Sequence, residues 1–173
     1  MARLILLDRD GVINFDSPEF IKTPQEWQAI PGSLEAIAQL KKSGRRVAVC
    51  SNQSGVARGI VSVEMLKAIE NKMFCQLQSH GAEVDLVLYC THHPDEQCGC
   101  RKPRPGMLED AMNTLAFVPA QTCFVGDSLR DLEAAIAARC QPVLSALRTY
   151  SARQRRLGGE KAAGRRHHSA HRF

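Results

Sequence analysis

Two acidic side chains directly follow a short apolar stretch near the start of the chain. Leu4–Leu7 is a run of four apolar residues, and Asp8, Arg9, Asp10 and Gly11 come next. Such a run predicts a buried strand, and Gly11 allows a tight turn that leaves both acids at the carboxyl end of this strand. Carboxylates are costly beside a core unless a cation or a donor satisfies them. We therefore interpret the two acids as candidate chemical groups, with two solvated acids at an ordinary strand end as the alternative that this stretch alone leaves open.

Polar groups suited to phosphate chemistry follow three further apolar runs. The second run ends at Ser51, which offers a hydroxyl group, and the fourth ends at Asp127. Between them, Arg101 and Lys102 stand just before a predicted helix. Because ligands bind at the carboxyl ends of the strands in open α/β sheets, we expect all four strand ends to meet in one site.

These groups divide the work of phosphate ester hydrolysis among them. Asp8 would attack phosphorus and form an aspartyl-phosphate, and Asp10 would protonate the leaving alcohol and later accept a proton from water. Two carboxylates facing a dianionic phosphate need a cation, so we expect Mg²⁺ to be held by Asp8, the Asp10 carbonyl and Asp127. Ser51 and Lys102 would hold the phosphoryl oxygens.

Strand and helix patterns alternate along the chain and must position these groups. The predicted strands are Leu4–Leu7, Val47–Cys50, Val84–Tyr89, Thr122–Gly126 and a fifth that starts at Pro142–Leu144, and the predicted helices follow Pro31, Ser62, Pro105 and Ser128. This alternation predicts an α/β fold, a doubly wound and mostly parallel sheet. A length of 173 residues suits one domain with a substantial core.

The chain carries no sign of a membrane or secretory segment. No apolar run approaches the ~20 residues that span a bilayer, and the N-terminus reaches Asp8 too soon for a signal peptide. We therefore expect a cytoplasmic protein without a membrane partner.

The positive charge is concentrated at the C-terminus. Residues 145–173 hold eight of the 23 Lys and Arg residues but only one of the 18 acids, and they lack a strand or helix period. We therefore predict a folded domain over residues 1–144 and a loosely structured basic tail over residues 145–173. A nucleic-acid-binding arm would need interleaved aromatic residues, which the tail lacks, so nucleic acid is not an expected partner.

Three cysteines and a histidine cluster just before Arg101. Cys90, His92, Cys98 and Cys100 are the inventory of a closed tetrahedral zinc site, and the C-x-H spacing favours His92 over His93 as the fourth ligand. Free thiols and exposed histidines are the alternative. The other cysteines lie in apolar segments and are predicted to be reduced core residues: Cys50, Cys75, Cys123 and Cys140.

In their order along the chain, these motifs resemble those of the haloacid dehalogenase-like (HAD) phosphatase superfamily. Asp8-x-Asp10-Gly11, Ser51, Lys102 and Gly126-Asp127-x-x-x-Asp131 match its four motifs, and the resemblance covers residues 3 to about 144. It implies a HAD-like Rossmannoid phosphatase domain over residues 1–144. Ordinary strands and helices fill the intervals between the motifs, so a folded cap domain has no room. We therefore expect an open, capless site in a protein that works as a monomer.

The zinc loop narrows the resemblance to the D-glycero-D-manno-heptose 1,7-bisphosphate 7-phosphatase family. The matching segments are residues 7–14, 51–59 and 100–107. This resemblance implies removal of the 7-phosphate from a small sugar bisphosphate, on the way to ADP-heptose for lipopolysaccharide, with catalytic Mg²⁺ and structural Zn²⁺. It also implies that Arg101 recognises substrate. Further substrate contacts are expected from Asp16, Ser17, Pro18, Glu19, Asn52, Gln53, Ser54 and Arg58.

Two alternatives stay open at this point. Histidinol-phosphate phosphatase shares nearly all of these features, and a non-catalytic, zinc-stabilised binding module is a more remote possibility that would not need Asp10. The sequence departs from the family pattern at Ser51, where many relatives have threonine, and over residues 145–173, where the family continues with a glycine-containing turn, a helix and an apolar segment. Loss of that terminal segment would uncover a sheet edge and lower stability or solubility.

Overall fold

The computed structural model describes residues 2–145, which contain a five-stranded parallel sheet. The strands are β1 (Leu4–Leu7), β2 (Arg46–Asn52), β3 (Leu86–Cys90), β4 (Thr122–Gly126) and β5 (Gln141–Leu144), in the spatial order β3-β2-β1-β4-β5. The predicted α/β class and parallel sheet are confirmed. β3 begins two residues later than predicted, and Asp85 just before it accepts the backbone N–H of Val47 with its carboxylate.

Four α-helices connect the strands: α1 (Ser33–Lys42), α2 (Val63–Ser79), α3 (Gly106–Thr114) and α4 (Leu129–Ala137). Two short 3₁₀ turns, Pro94–Glu96 and Pro119–Gln121, lie between them. As the sequence predicts, the Ser62 hydroxyl caps α2 by accepting the backbone N–H of Met65. α4 begins with a capping box between Ser128 and Asp131, which brings an acid to the start of this helix.

The core forms two layers because β1 is covered on both faces. Ile5 and Leu7 belong to one apolar cluster with residues of α1 and α2, whereas Leu4 and Leu6 belong to the other cluster with residues of α3 and α4. A strand buried on both faces needs a continuous apolar run instead of an alternating one. This requirement explains the unbroken apolar sequence that precedes Asp8.

The direction of winding reverses between β1 and β4. The chain builds β1, β2 and β3 in one direction and then returns to place β4 on the other side of β1. Leu7 pairs with Val125 in register, and the backbone N–H of Asp8 donates to the Val125 carbonyl at 2.9 Å. A reversal of this kind opens a crevice at the carboxyl ends of the two strands, so Asp8 and Asp127 face a natural ligand site.

Within residues 2–145 the intervals between the sequence motifs contain no inserted cap domain. A turn, a loop, α1 and β2 occupy the first interval, and α2, β3 and the Cys/His loop occupy the second. The capless prediction is therefore confirmed. None of the helices in the described range is both long and apolar enough to cross a bilayer. Apart from Ser145, the predicted basic tail lies outside the described residues, so the domain boundary at residue 144 stays a prediction.

The prediction that Cys75 is a core residue is wrong. Cys50, Cys123 and Cys140 are buried as predicted, but Cys75 is exposed. The buried face of α2 is formed by Leu66, Ile69, Met73 and Leu77. Cys75 lies two positions from Met73, which is more than half a helical turn, and therefore points to the opposite side of the helix.

Candidate active site

A sharp turn after β1 presents the two acids of the first motif. The Arg9 carbonyl accepts the backbone N–H groups of Ile13 at 2.8 Å and Asn14 at 3.2 Å, and the N–H of Gly11 donates to the Asn14 carbonyl at 2.7 Å. Gly11 has a φ of +80°, and a Cβ atom there would lie 2.1 Å from an Asp127 carboxylate oxygen. Only glycine fits, so the first and fourth strand ends can approach each other closely.

Lys102 connects the first and fourth strand ends by two ion pairs. Its Nζ lies 2.8 Å from Oδ2 of Asp8 and 2.7 Å from Oδ1 of Asp131, and its side chain is only 2% exposed. The backbone of Lys102 is fixed by Asn52, whose Oδ1 accepts the Lys102 N–H and whose Nδ2 donates to the Lys102 carbonyl, both at 3.1 Å. The third motif is therefore held by the second and fourth motifs.

Burial and neighbouring charges shift the pKa values of Asp8, Lys102 and Asp131 in opposite directions. Burial raises the pKa of Asp8 above its usual value, although the ammonium group of Lys102 opposes the shift. Burial alone would lower the pKa of Lys102, but the carboxylates of Asp8 and Asp131 outweigh it and raise the pKa. Burial would raise the pKa of Asp131, yet Lys102 and the donors of Ser128 hold it below the usual range. The Lys102 ammonium group is thus kept charged inside the protein.

The Asp10 carboxylate is surrounded by hydrogen-bond donors. Arg9 donates to both of its oxygens at 3.0 Å, Asn14 donates to Oδ1 at 2.8 Å, and Gln53 donates to Oδ2 at 2.9 Å. Burial alone would raise the pKa of Asp10, but Arg9, aided by these amides, holds it below its usual value. Asp10 is therefore oriented by four hydrogen bonds from three side chains.

A cavity of about 110 Å³ opens at the carboxyl ends of the strands. Its lining residues are Asp8, Asp10, Asp16, Ser51, Asn52, Asp127, Ser128, Arg130 and Asp131. The cavity thus brings together the predicted acids of two motifs and the hydroxyl group of a third. A second cavity of about 420 Å³ is lined by Arg101, Lys102, Arg104 and Arg130, so Arg130 borders both cavities.

The substrate loops predicted by resemblance are brought to this site only in part. Asp16 and Asn52 line the smaller cavity, and Gln53 reaches it indirectly by donating to Asp10 and Ser51. Among the described residues, Ser17, Pro18, Glu19, Ser54 and Arg58 line neither cavity. Glu19 pairs with Lys22 at 3.6 Å on the surface. The predicted substrate contacts of these five residues stay predictions.

Three carboxylates at the site have the positions to hold a hard cation. Ligand oxygens of Asp8, Asp127 and Asp131 all lie within 4.8 Å of one another. Mg²⁺ prefers oxygen ligands of this kind, and Gly11 leaves the space next to Asp127 clear of a side chain. The donor set therefore fits a magnesium ion, with Asp131 as an acid that the predicted ligand set (Asp8, Asp10 and Asp127) did not include.

The four predicted zinc ligands converge on one point of the loop after β3. Their neighbouring separations are 3.6 Å for Cys90 Sγ to Cys98 Sγ, 3.5 Å for Cys98 Sγ to Cys100 Sγ, and 3.6 and 3.3 Å for His92 Nδ1 to the sulfurs of Cys90 and Cys100. Tetrahedral zinc with ordinary bond lengths requires edges of about 3.8 Å between sulfurs and about 3.6 Å between sulfur and nitrogen. The cluster therefore has nearly the size that a structural zinc ion needs.

His93 has a different position from His92. Its Nδ1 accepts the backbone N–H of Asp95 at 3.4 Å and so caps the 3₁₀ turn, while its own backbone N–H donates to Glu96. The sequence preference for His92 in the metal cluster thus agrees with the geometry.

Sequence reasoning gave no role to Arg9, Asn14 or Arg130, and it placed Asp131 in the fourth motif without assigning it a contact. A recognisable signal existed for Asp131, because Ser128-x-x-Asp131 is a capping box that directs the acid back to the start of α4. At Gly126 a Cβ atom would lie 2.1 Å from the Asp131 Cβ, so glycine lets this acid approach β4. No comparable local signal predicts that Arg9 is buried.

The described geometry agrees with comparisons to known proteins. The family model for haloacid dehalogenase-like hydrolase matches residues 7–139. The D-glycero-β-D-manno-heptose-1,7-bisphosphate 7-phosphatase of Pseudomonas putida is 51% identical over 142 residues, covering 82% of this chain and 81% of that protein. The enzyme of the same name from Bordetella bronchiseptica is 51% identical over 146 residues, covering 82% and 79%.

A solved structure gives the same result at the level of the fold. The D,D-heptose 1,7-bisphosphate phosphatase from B. bronchiseptica, complexed with magnesium and phosphate, is similar with a TM-score of 0.82 and 46% identity, over 88% of this chain and 86% of that one. The chain therefore belongs to the haloacid dehalogenase-like hydrolases, among the D-glycero-D-manno-heptose 1,7-bisphosphate 7-phosphatases of that family, and it is a phosphoric monoester hydrolase.

Proposed function

We propose that this protein hydrolyses the 7-phosphate of D-glycero-D-manno-heptose 1,7-bisphosphate in a Mg²⁺-dependent reaction. The observation that carries the proposal is the position of Lys102, whose Nζ lies within 2.8 Å of carboxylate oxygens of both Asp8 and Asp131. A buried cation beside a candidate nucleophile can stabilise an incoming phosphoryl group as well as orient the attacking carboxylate. The names of the relatives supply the substrate class.

In the first half of the reaction, Asp8 acts as the nucleophile. A carboxylate oxygen of Asp8 forms a bond to phosphorus, and the bond from phosphorus to the sugar oxygen breaks. The proton that the departing oxygen requires comes from the Asp10 carboxylic acid. Ser51 and Lys102 bind the phosphoryl oxygens while this exchange takes place.

In the second half, water releases the phosphate from Asp8. Asp10, now ionised, removes a proton from the water as its oxygen attacks phosphorus, and the bond between phosphorus and the Asp8 oxygen breaks. The products are inorganic phosphate and a free Asp8 carboxylate. Asp10 returns its proton to solvent and takes one up again when the next phosphoryl group binds, because without substrate its donors hold its pKa below the usual value. Asp8 thus acts first as the nucleophile and then as the leaving group, whereas Asp10 acts first as the general acid and then as the general base.

Two metal sites belong to this proposal. Asp8, Asp127 and the Asp10 carbonyl would hold Mg²⁺, with Asp131 within reach, and the ion supplies positive charge that offsets the repulsion between carboxylates and phosphate. Cys90, His92, Cys98 and Cys100 would hold Zn²⁺ in a closed structural site. Arg101 and Lys102 directly follow the last zinc ligand, so the folded loop positions both cations.

The larger cavity provides a place for the rest of the substrate. Arg101, Arg104 and Arg130 line it beside Lys102, and Nη1 of Arg101 is buried there without a hydrogen-bond partner among the described residues. A sugar bisphosphate carries a second anionic group, which guanidinium groups can bind with paired hydrogen bonds. We therefore propose that Arg101 recognises substrate from this cavity.

The cellular setting is also proposed, not observed. The resemblance implies a cytoplasmic enzyme on the route to ADP-heptose for lipopolysaccharide. An open site formed within a single chain can work in a monomer.

Phosphate release from purified protein tests the proposed function. Assays with and without Mg²⁺ would compare the α and β anomers of the heptose bisphosphate with histidinol phosphate. The names of the relatives specify the β anomer, so we expect it to be the best substrate. Faster turnover of histidinol phosphate would contradict the substrate assignment, and turnover unaffected by removing Mg²⁺ would contradict the metal assignment.

A further inference from the structure

We propose that Arg9 is a positioning residue that fixes the carboxylate of Asp10 for proton transfer. Arg9 stands between the two acids of the first motif, yet it lines neither cavity of the site among the described residues. This inference rests on the proposed function, because it concerns the proton that Asp10 exchanges with the leaving group and with water.

The guanidinium group of Arg9 binds the Asp10 carboxylate through two parallel hydrogen bonds. Nε donates to Oδ1 and Nη2 donates to Oδ2, both at 3.0 Å. Two parallel hydrogen bonds fix the plane of a carboxylate as well as its position, which a single donor cannot do. Asn14 reinforces this orientation by donating to Oδ1 at 2.8 Å.

Arg9 is itself rigidly held. Its side chain is 1% exposed, and its guanidinium carbon lies 5.7 Å from the centre of the Tyr89 ring. Nη2 also donates to Oε1 of Gln53 at 3.1 Å. A buried arginine is costly unless it is paired. The charged group that pairs with Arg9 is the carboxylate of Asp10.

Gln53 is the donor that is able to withdraw from Asp10. Arg9 and Asn14 are buried, whereas Gln53 is only partly buried, and its Nε2 is shared between Asp10 Oδ2 at 2.9 Å and Ser51 Oγ at 3.1 Å. A phosphoryl group bound at Ser51 would compete for these contacts. Oδ2 of Asp10 then becomes available for a proton while Arg9 keeps the carboxylate plane fixed.

The choice of leaving group tests this role. An alkyl phosphate ester needs a proton for its departing oxygen, but p-nitrophenyl phosphate releases a weakly basic phenolate that does not. In Arg9→Met we expect kcat for the alkyl ester to fall about 100-fold with little change in KM. With p-nitrophenyl phosphate we expect a first-turnover burst of about one phenolate per active site, followed by a slow steady state, since only the second half still depends on Asp10.

Arg9→Lys separates orientation from charge and supplies a second variant if Arg9→Met does not fold. Lysine keeps the positive charge but has no planar fork, so we expect it to restore less than a tenth of the lost alkyl-ester turnover. Arg46→Met is a matched control, because Arg46 lies at the amino end of β2 and pairs with Asp85. It should change neither substrate's kinetics.

Three outcomes overturn the inference. They are an equal fall in the first-turnover rate for both substrates, disappearance of the burst in a folded Arg9→Met protein, and near-complete restoration of alkyl-ester turnover by Arg9→Lys. A failure of the proposed function looks different, because the wild-type protein would then fail to hydrolyse the heptose bisphosphate. If the wild type hydrolyses another alkyl phosphate, that ester replaces the heptose in the Arg9 comparison.

Discussion

The Nζ atom of Lys102 lies 2.7 Å from Oδ1 of Asp131, and both side chains are 2% exposed. The same nitrogen reaches Asp8, so the position of the Lys102 ammonium group depends on two acids that come from opposite ends of the described chain. Asp131 is in turn held by Ser128, whose hydroxyl and backbone N–H both donate to Oδ2. The position of the Lys102 side chain therefore depends on the start of α4 as well as on its own loop.

Asp131→Asn should impair both catalysis and stability. The amide leaves Lys102 with one charged partner in place of two, so we expect kcat to fall at least about tenfold and the free energy of unfolding to fall by about 1–3 kcal/mol. Phosphate release and urea denaturation measure the two effects. Glu133→Asn is the control, since Glu133 is exposed on the same helix. Equal behaviour of both variants would contradict the role assigned to Asp131.

Asp8→Asn should abolish turnover and leave the fold intact. The amide oxygen is a far weaker nucleophile than the carboxylate, and a loss of about 10⁴-fold or more is expected when a nucleophile is removed. Steady-state phosphate release and circular dichroism provide the measurements. Asp110→Asn, at an exposed position of α3, should keep wild-type activity. Activity of Asp8→Asn near the wild-type level would refute the nucleophile assignment.

Cys100→Ser should remove the proposed zinc ion and loosen the loop that leads to Lys102. We expect the purified wild-type protein to contain about one zinc per chain, and the variant to lose most of it, with a lower melting temperature and slower turnover. Elemental analysis, thermal melts and phosphate release test the three effects. Cys75→Ser is the matched control because Cys75 is exposed and lies outside the cluster. Absence of zinc from the wild type would leave the cluster without its proposed role.

Asp85 lies at the amino ends of β2 and β3, away from the candidate active site, and it should make the free energy of unfolding depend on pH. Burial alone would raise its pKa, but Lys41, the backbone N–H of Val47 and Arg46 outweigh burial and hold the pKa below its usual value. A lowered folded-state pKa contributes stability above the unfolded value of about 3.9, and this contribution disappears as the pH falls through the folded-state pKa.

Asp85→Asn removes this contribution. We therefore expect the melting temperature of the wild type to exceed that of the variant at pH 6–7, and the difference to shrink below about pH 4. Melts recorded from pH 3 to pH 7 would test this. A difference that stays constant over the whole range would show that the Asp85 charge does not contribute.

Much of the fold could be predicted because its signals are local. The apolar run Leu4–Leu7, the Ser62 cap and the positions of β4 and α4 need only neighbouring residues to be recognised. The Cys/His cluster is equally local, since all four side chains lie within eleven residues. The boundaries of β3 and the exposure of Cys75 were harder to predict, because they depend on the elements that pack beside them.

The sequence by itself determined which groups exist and in what order: two acids after a buried strand, a hydroxyl, four candidate metal ligands, a lysine and a second pair of acids. Only the tertiary structure decided their partners. Parallel pairing of β1 with β4 puts Asp8 next to the strand end that carries Asp127, and the capping box of α4 brings Asp131 to Lys102. Arg9 is a further case, since no local pattern marks it as buried, yet Tyr89 and Gln53, both distant in sequence, pack against it and its side chain is 1% exposed. Contacts between residues far apart in sequence depend on how the elements pack, and a local sequence pattern does not predict that packing.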